Sequence, residues 1–89
     1  MIFRLEISVQ ALADLQVLDR EVAKRIAAKL RWFALKENPL RFAEHLKQSP
    51  LGEYRFRIGD YRAMFEAKRG IITVLEILRI KHRSEAYKK

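Results

Sequence analysis

The sequence predicts an α+β fold of the order βααβββ. An N-terminal strand leads to an antiparallel helical hairpin, then to a three-stranded antiparallel meander, forming one sheet with the helices on one face. Three observations carry this prediction. Apolar and charged residues alternate over positions 2–7 and again over 53–58, the period of a half-buried strand. Between them, Val22, Ile26, Leu30 and Phe33 recur at helical spacing. The C-terminal part then holds three apolar runs separated by Gly59-Asp60 and Lys68-Arg69-Gly70, connections short enough for hairpins.

In the first strand, Ile2–Ile7, Phe3, Leu5 and Ile7 oppose Arg4 and Glu6. Ser8 follows as a helix cap, because its hydroxyl can accept an orphan N–H of the first turn, and Leu12 and Leu15 supply that helix's apolar side. Asp19 is a second cap, with Glu21 at the positive end of the helix dipole. The second helix should run about four turns and stop before Asn38-Pro39, since a residue preceding proline avoids the helical region. Leu40 to Gly52 carries weak patterning, with Phe42 and Leu46 as anchors and Ser49-Pro50 as a breaker. Three strands are expected next, Glu53–Ile58, Tyr61–Ala67 and Ile71–Ile80. The last is apolar on both faces and therefore central. A basic tail from Lys81 to Lys89 reads as a short helix or extended arm.

Composition narrows the function classes. Eighty-nine residues suit a single domain, 1–89, and about half are apolar, enough for a core. There is no cysteine, which excludes disulfides, thiolate metal sites and cysteine nucleophiles and suits a reducing cytosol. No run approaches the roughly 18 apolar residues of a membrane span. Charges come too early in the N-terminus for an export signal, so a cytoplasmic protein without a membrane partner is expected. The net charge is +8: residues 1–53 hold nine Lys/Arg against seven Asp/Glu, and residues 54–89 hold ten against four. A basic field concentrated in the second part steers anionic partners.

The segment Tyr54-Arg55-Phe56-Arg57-Ile58-Gly59-Asp60-Tyr61-Arg62 concentrates the chemistry. Tyr54, Phe56 and Ile58 should face a core while Arg55 and Arg57 stand in solvent, about 7 Å apart, near the spacing of successive phosphates. Glycine-rich phosphate loops, metal-spaced His/Asp/Glu clusters and nucleophile elbows are missing from the sequence, so no cofactor or metal is expected. His45 stands alone and reads as structural. Glu66 and Glu76 could face each other on adjacent strands, with Arg62 and Arg79 as their partners. The remaining Arg, Lys, Tyr and His near the meander ends suit metal-free phosphodiester chemistry on RNA. The substrate there brings its own 2′-hydroxyl nucleophile, and arginine forks neutralise the developing phosphorane charge.

The nonapeptide, the helical hairpin and the ending Leu78-Arg79-Ile80-Lys81-His82-Arg83-Ser84-Glu85-Ala86-Tyr87 together resemble RelE toxins of the RelE/ParE superfamily, over essentially the whole chain. The resemblance implies the toxin of a type II toxin–antitoxin module that cleaves mRNA in the ribosomal A site. It implies Arg62 as a phosphate clamp, Arg83 as a second charge stabiliser near the leaving group, and Tyr87 as a stacking or proton-handling aromatic. Arg55 and Arg57, with Lys81 and Arg79, would bind RNA or ribosome. On this reading Arg62 and Arg83 converge on one scissile linkage, and Arg62→Ala abolishes growth arrest in a protein that stays folded. The best-described nuclease of the family has lysines at the positions of Arg55 and Arg57. Arginine keeps its proton near neutral pH, so the general base would be Tyr87, His82 or Lys81. Implied partners are mRNA, the ribosome and an acidic antitoxin that wraps the toxin, with operator DNA reached only through that complex. The alternative within the superfamily is a ParE-like inhibitor of DNA gyrase that cleaves nothing.

Overall fold

The computed structural model describes residues 3–86. Strand β1 (Phe3–Ile7) leads into helices α1 (Val9–Gln16) and α2 (Arg20–Ala34). A 3₁₀ turn (Pro39–Phe42) then precedes β2 (Ala43–His45), β3 (Tyr54–Ile58), β4 (Tyr61–Lys68), β5 (Thr73–His82) and a single helical turn, α3 (Arg83–Ala86). The five strands form one sheet in the order β1-β5-β4-β3-β2, with β1 parallel to β5 and the other pairs antiparallel.

Local chemistry starts both long helices where the sequence places them. The Ala11 N–H donates to Ser8 Oγ at 3.0 Å, and the Glu21 N–H donates to Asp19 Oδ1 at 2.9 Å. Ile26, Leu30 and Phe33 of α2 are buried, as the spacing requires. On α1 the buried residues are Ala11 and Leu15, whereas Leu12 is exposed, so the smaller side chain makes the closer approach to the sheet. At Gly59-Asp60 the chain turns in two residues, with Ile58 opposite Tyr61. Gly59 takes φ 59°, the left-handed value that a first turn residue without a Cβ supplies at no steric cost.

The core lies between the helices and one sheet face. Phe56 is its centre, stacked on Phe33 with ring centroids 4.1 Å apart and on Phe65 at 4.3 Å. Ile58, Ala63, Ala67, Leu75, Ile77 and Ile80 complete that face of the sheet.

Two sequence expectations shift. The weakly patterned stretch 40–52 contains a fifth strand, β2, held along β3 through Ala43↔Phe56 and His45↔Tyr54. Three residues are too few to register as a periodicity. The last strand begins at Thr73 instead of Ile71 and runs on to His82, so Lys81 and His82 belong to the sheet and the tail starts at Arg83. The strand does lie between two neighbours, β1 and β4.

β1 stops at Ile7, leaving the far half of β5 with an uncovered edge, and α1 completes it. The Ser8 N–H donates to the Ile77 carbonyl at 2.9 Å, and Ser8 Oγ donates to the Leu78 carbonyl at 3.0 Å. The Ile80 N–H then donates to Asp14 Oδ2 at 2.8 Å. Polar side chains of one helix thus replace a missing strand, satisfying groups that would be costly to leave unpaired. A register shift between Met64 and Phe65 places the extra residue, Leu78, at this same point of β5.

Candidate nucleic-acid interface

Side chains alternate across the sheet, so the residues between those of the core face point the other way. Arg57, Arg62 and Lys81 stand directly opposite one another on β3, β4 and β5 of that second face. Neighbouring strands are about 4.8 Å apart, so three cationic side chains leave the backbone in a short row. Like charges placed directly opposite are destabilising unless other groups hold or screen them.

The three cations are not equivalent. Arg62 is only 3 % exposed, and its Nη1 donates to the Gly59 carbonyl at 2.9 Å and the Tyr61 carbonyl at 2.8 Å. Through these two bonds its guanidinium clips the β3–β4 turn shut. Arg57 is exposed and has no carboxylate partner among the described residues. Arg83 lies at the same turn: its backbone N–H donates to the Asp60 carbonyl at 2.7 Å, and its Nε stands 3.8 Å from Asp60 Oδ1. Arg62 and Arg83 therefore gather at one turn, Arg62 inside it and Arg83 at its exposed rim.

Three other expectations are corrected by specific contacts. Arg55 does not stand free in solvent beside Arg57. It pairs with Glu44 of β2, and its side chain is 15 % exposed. Arg79 is held by Asp14, Nε to Oδ2 at 2.9 Å and Nη2 to Oδ1 at 3.1 Å, a two-pronged bridge from β5 to α1. Burial alone would raise the Asp14 pKa, but the Arg79 hydrogen bond, the Ile80 N–H and the Arg79 charge outweigh it and hold the carboxyl below its ordinary value. Glu76 does face Glu66 across the strands but bonds Lys68 at 3.0 Å, not an arginine.

His82 sits opposite Tyr61, on the side of β5 away from Lys81, with the rings edge to face at 5.4 Å. The Ser84 N–H donates to His82 Nδ1 at 3.2 Å, and Ser84 Oγ stands 3.0 Å from the same nitrogen. Tyr87 lies outside the described residues. One residue that sequence reasoning passed over belongs here: Arg41, from the 3₁₀ turn, lines with Phe42, Arg55, Arg57 and Arg62 a cleft of about 250 Å³. Its only signal was a cation beside an aromatic in an unpatterned stretch.

Residues 5–87 match the family model described as the ParE toxin of the type II toxin–antitoxin system parDE. The chain belongs to this family of RelE/ParE toxins. Among solved structures it is similar to a chain of the RelBE2 toxin–antitoxin complex from Mycobacterium tuberculosis, at 28 % identity and a TM-score of 0.69, covering 93 % of this chain and 100 % of that one. It is also similar to a chain of the archaeal RelE–RelB complex from Pyrococcus horikoshii OT3, at 25 % identity and a TM-score of 0.64, covering 93 % and 97 %. No curated protein matches. The protein is thus a RelE-like toxin of a type II toxin–antitoxin module, and the five-stranded mixed sheet with its helices is the RelE fold. Both of these solved structures are toxin–antitoxin complexes. Among the described residues no helix is long and apolar enough to cross a membrane.

Proposed function

We propose that this toxin is a ribosome-dependent endoribonuclease that cuts mRNA in the A site. The observation that carries the reading is the row Arg57–Arg62–Lys81, with Arg83 at its end. A phosphodiester laid along it would meet several fixed positive charges at once. In the reaction the RNA 2′-hydroxyl attacks phosphorus, the bond to the 5′-oxygen breaks, and a 2′,3′-cyclic phosphate and a 5′-hydroxyl result. The base takes the 2′-hydroxyl proton and a donor returns one to the 5′-oxygen. Arg57 and Arg83 would neutralise the dianionic phosphorane, while Arg62 holds the turn that positions them. His82 lies on the side of β5 away from the row, so the base would be Tyr87 or Lys81. The antitoxin would neutralise this basic rim with acidic side chains.

Toeprinting of translating mRNA tests the reading. New 3′ ends should appear at the A site with the natural protein and fall about 100-fold or more in Arg57→Ala, the usual cost of removing one charge-stabilising donor. Intact message throughout would overturn it. A second reading is favoured by the family description itself, which is that of ParE: a gyrase inhibitor whose arginines bind without cutting. Inhibition of supercoiling by purified gyrase, with message left intact, would select that reading instead.

A further inference from the structure

Seven Lys/Arg and only two Glu lie between residues 20 and 42, a concentration that a balance taken over residues 1–53 conceals. On this surface two aromatic side chains remain uncovered, Trp32 at 40 % exposure and Phe42 at 49 %. Trp32 lies off the Ile26–Leu30–Phe33 stripe that faces the sheet, and Phe42 reaches it from the 3₁₀ turn. The two rings meet edge to face, centroids 5.4 Å apart at 69°, and Trp32 meets Phe33 edge to face at the same distance, which leaves both Trp32 and Phe42 partly exposed. Lys29 and Lys36, one turn before and one turn after, each place Nζ 3.9 Å from the Trp32 ring centre. Neither lysine pairs with a carboxylate among the described residues.

We infer that Trp32 and Phe42 form a stacking platform for unpaired bases of single-stranded RNA, with Lys29 and Lys36 taking the flanking phosphates. An ammonium resting on an indole gains a modest cation–π attraction but has no counter-ion there. A base stacking on the ring would displace the lysine, which then moves to the phosphate that arrives with the base. Exposed aromatics set among cations are the general means of holding single strands without reading their sequence. An acidic peptide would satisfy the lysines but offer no planar ring for two uncovered aromatics, so the observations favour RNA.

The platform also adjoins the cationic row. Arg57 and Gly59 share with Arg25, Lys29 and Trp32 a groove of about 480 Å³, and Phe42 lines the cleft that Arg57 and Arg62 share. One strand could cross both sites. This inference shares the RNA target of the proposed function but none of its chemistry.

The protein has a single tryptophan, so its fluorescence reports on this site alone. Short single-stranded oligoadenylate titrated into the full-length protein, without ribosomes, should quench Trp32. Phe42→Ala, which keeps the reporter, should weaken binding about tenfold, a typical loss for one stacking ring. Lys29→Gln with Lys36→Gln should flatten the log affinity against log salt by about 0.7 per lysine. Quenching by polyglutamate equal to that by oligoadenylate would overturn the inference in favour of an acidic protein segment. Equal quenching by inorganic polyphosphate, or no quenching by the RNA, would overturn it too. Toeprint cleavage without quenching defeats the platform alone, whereas quenching without cleavage defeats only the nuclease.

Discussion

The two faces of the sheet handle their polar and aromatic groups in opposite ways. Under the helices, Phe56 stacks on both Phe33 and Phe65, and the Ile80 N–H at that margin is met by the Asp14 carboxylate. On the other face Arg57, Arg62 and Lys81 stand in register, and only Arg62 has been drawn inward to serve the turn. A charge spent on structure is recognisable by its partner. Arg79 and Arg55, both expected to touch RNA, have carboxylates. Arg57 has none among the described residues, and it keeps its place in the row.

Phe56→Ala should produce the largest change, because the core face depends on its stacked rings. A loss of about 3–5 kcal/mol is expected, a large part of what so small a domain has, seen as a collapse of the urea midpoint. A midpoint near that of the natural protein would mean that the helix face contributes far less than its packing indicates.

Asp14→Ala should follow, costing about 1–3 kcal/mol through the unsatisfied Ile80 N–H and the orphaned Arg79. Its pH dependence sharpens the contrast between the faces. The Asp14 carboxyl titrates lower in the folded chain than in an unfolded one, so the stability it lends is complete above the ordinary aspartate value, about 3.9. That stability is lost as pH falls through the depressed folded value. The gap between natural and variant proteins should therefore close on acidification, and a gap that stayed constant would remove Asp14 as its source.

Arg57→Ala should give the smallest change in stability, within about 0.5 kcal/mol, since no carboxylate among the described residues grips that side chain. Growth arrest should nevertheless disappear. Substantial destabilisation by this variant would erase the distinction between cations that hold the fold and cations that serve a target.

Much of the fold was legible because it is local. Ser8 and Asp19 cap helices through N–H groups two or three residues away, Gly59 takes the backbone angle a two-residue turn needs, and alternation sets which side of β3 is buried. β2 was not legible, since three residues acquire their pairing only from β3. The platform left a faint trace, an aromatic off the apolar stripe with lysines one turn to either side, but Phe42 joins it only through the 3₁₀ turn.

By itself, then, the sequence determined the order of the elements other than β2, the buried stripe of α2, the hairpin turn and a surplus of positive charge near one group of strands. Which arginines remain available to a target was decided by tertiary structure alone. Asp14 and Arg79 are 65 residues apart along the chain, and Glu44 reaches Arg55 only because β2 docks on β3. Ion pairing acts over a few ångströms, and a linear pattern cannot show which distant carboxylates folding brings within that range.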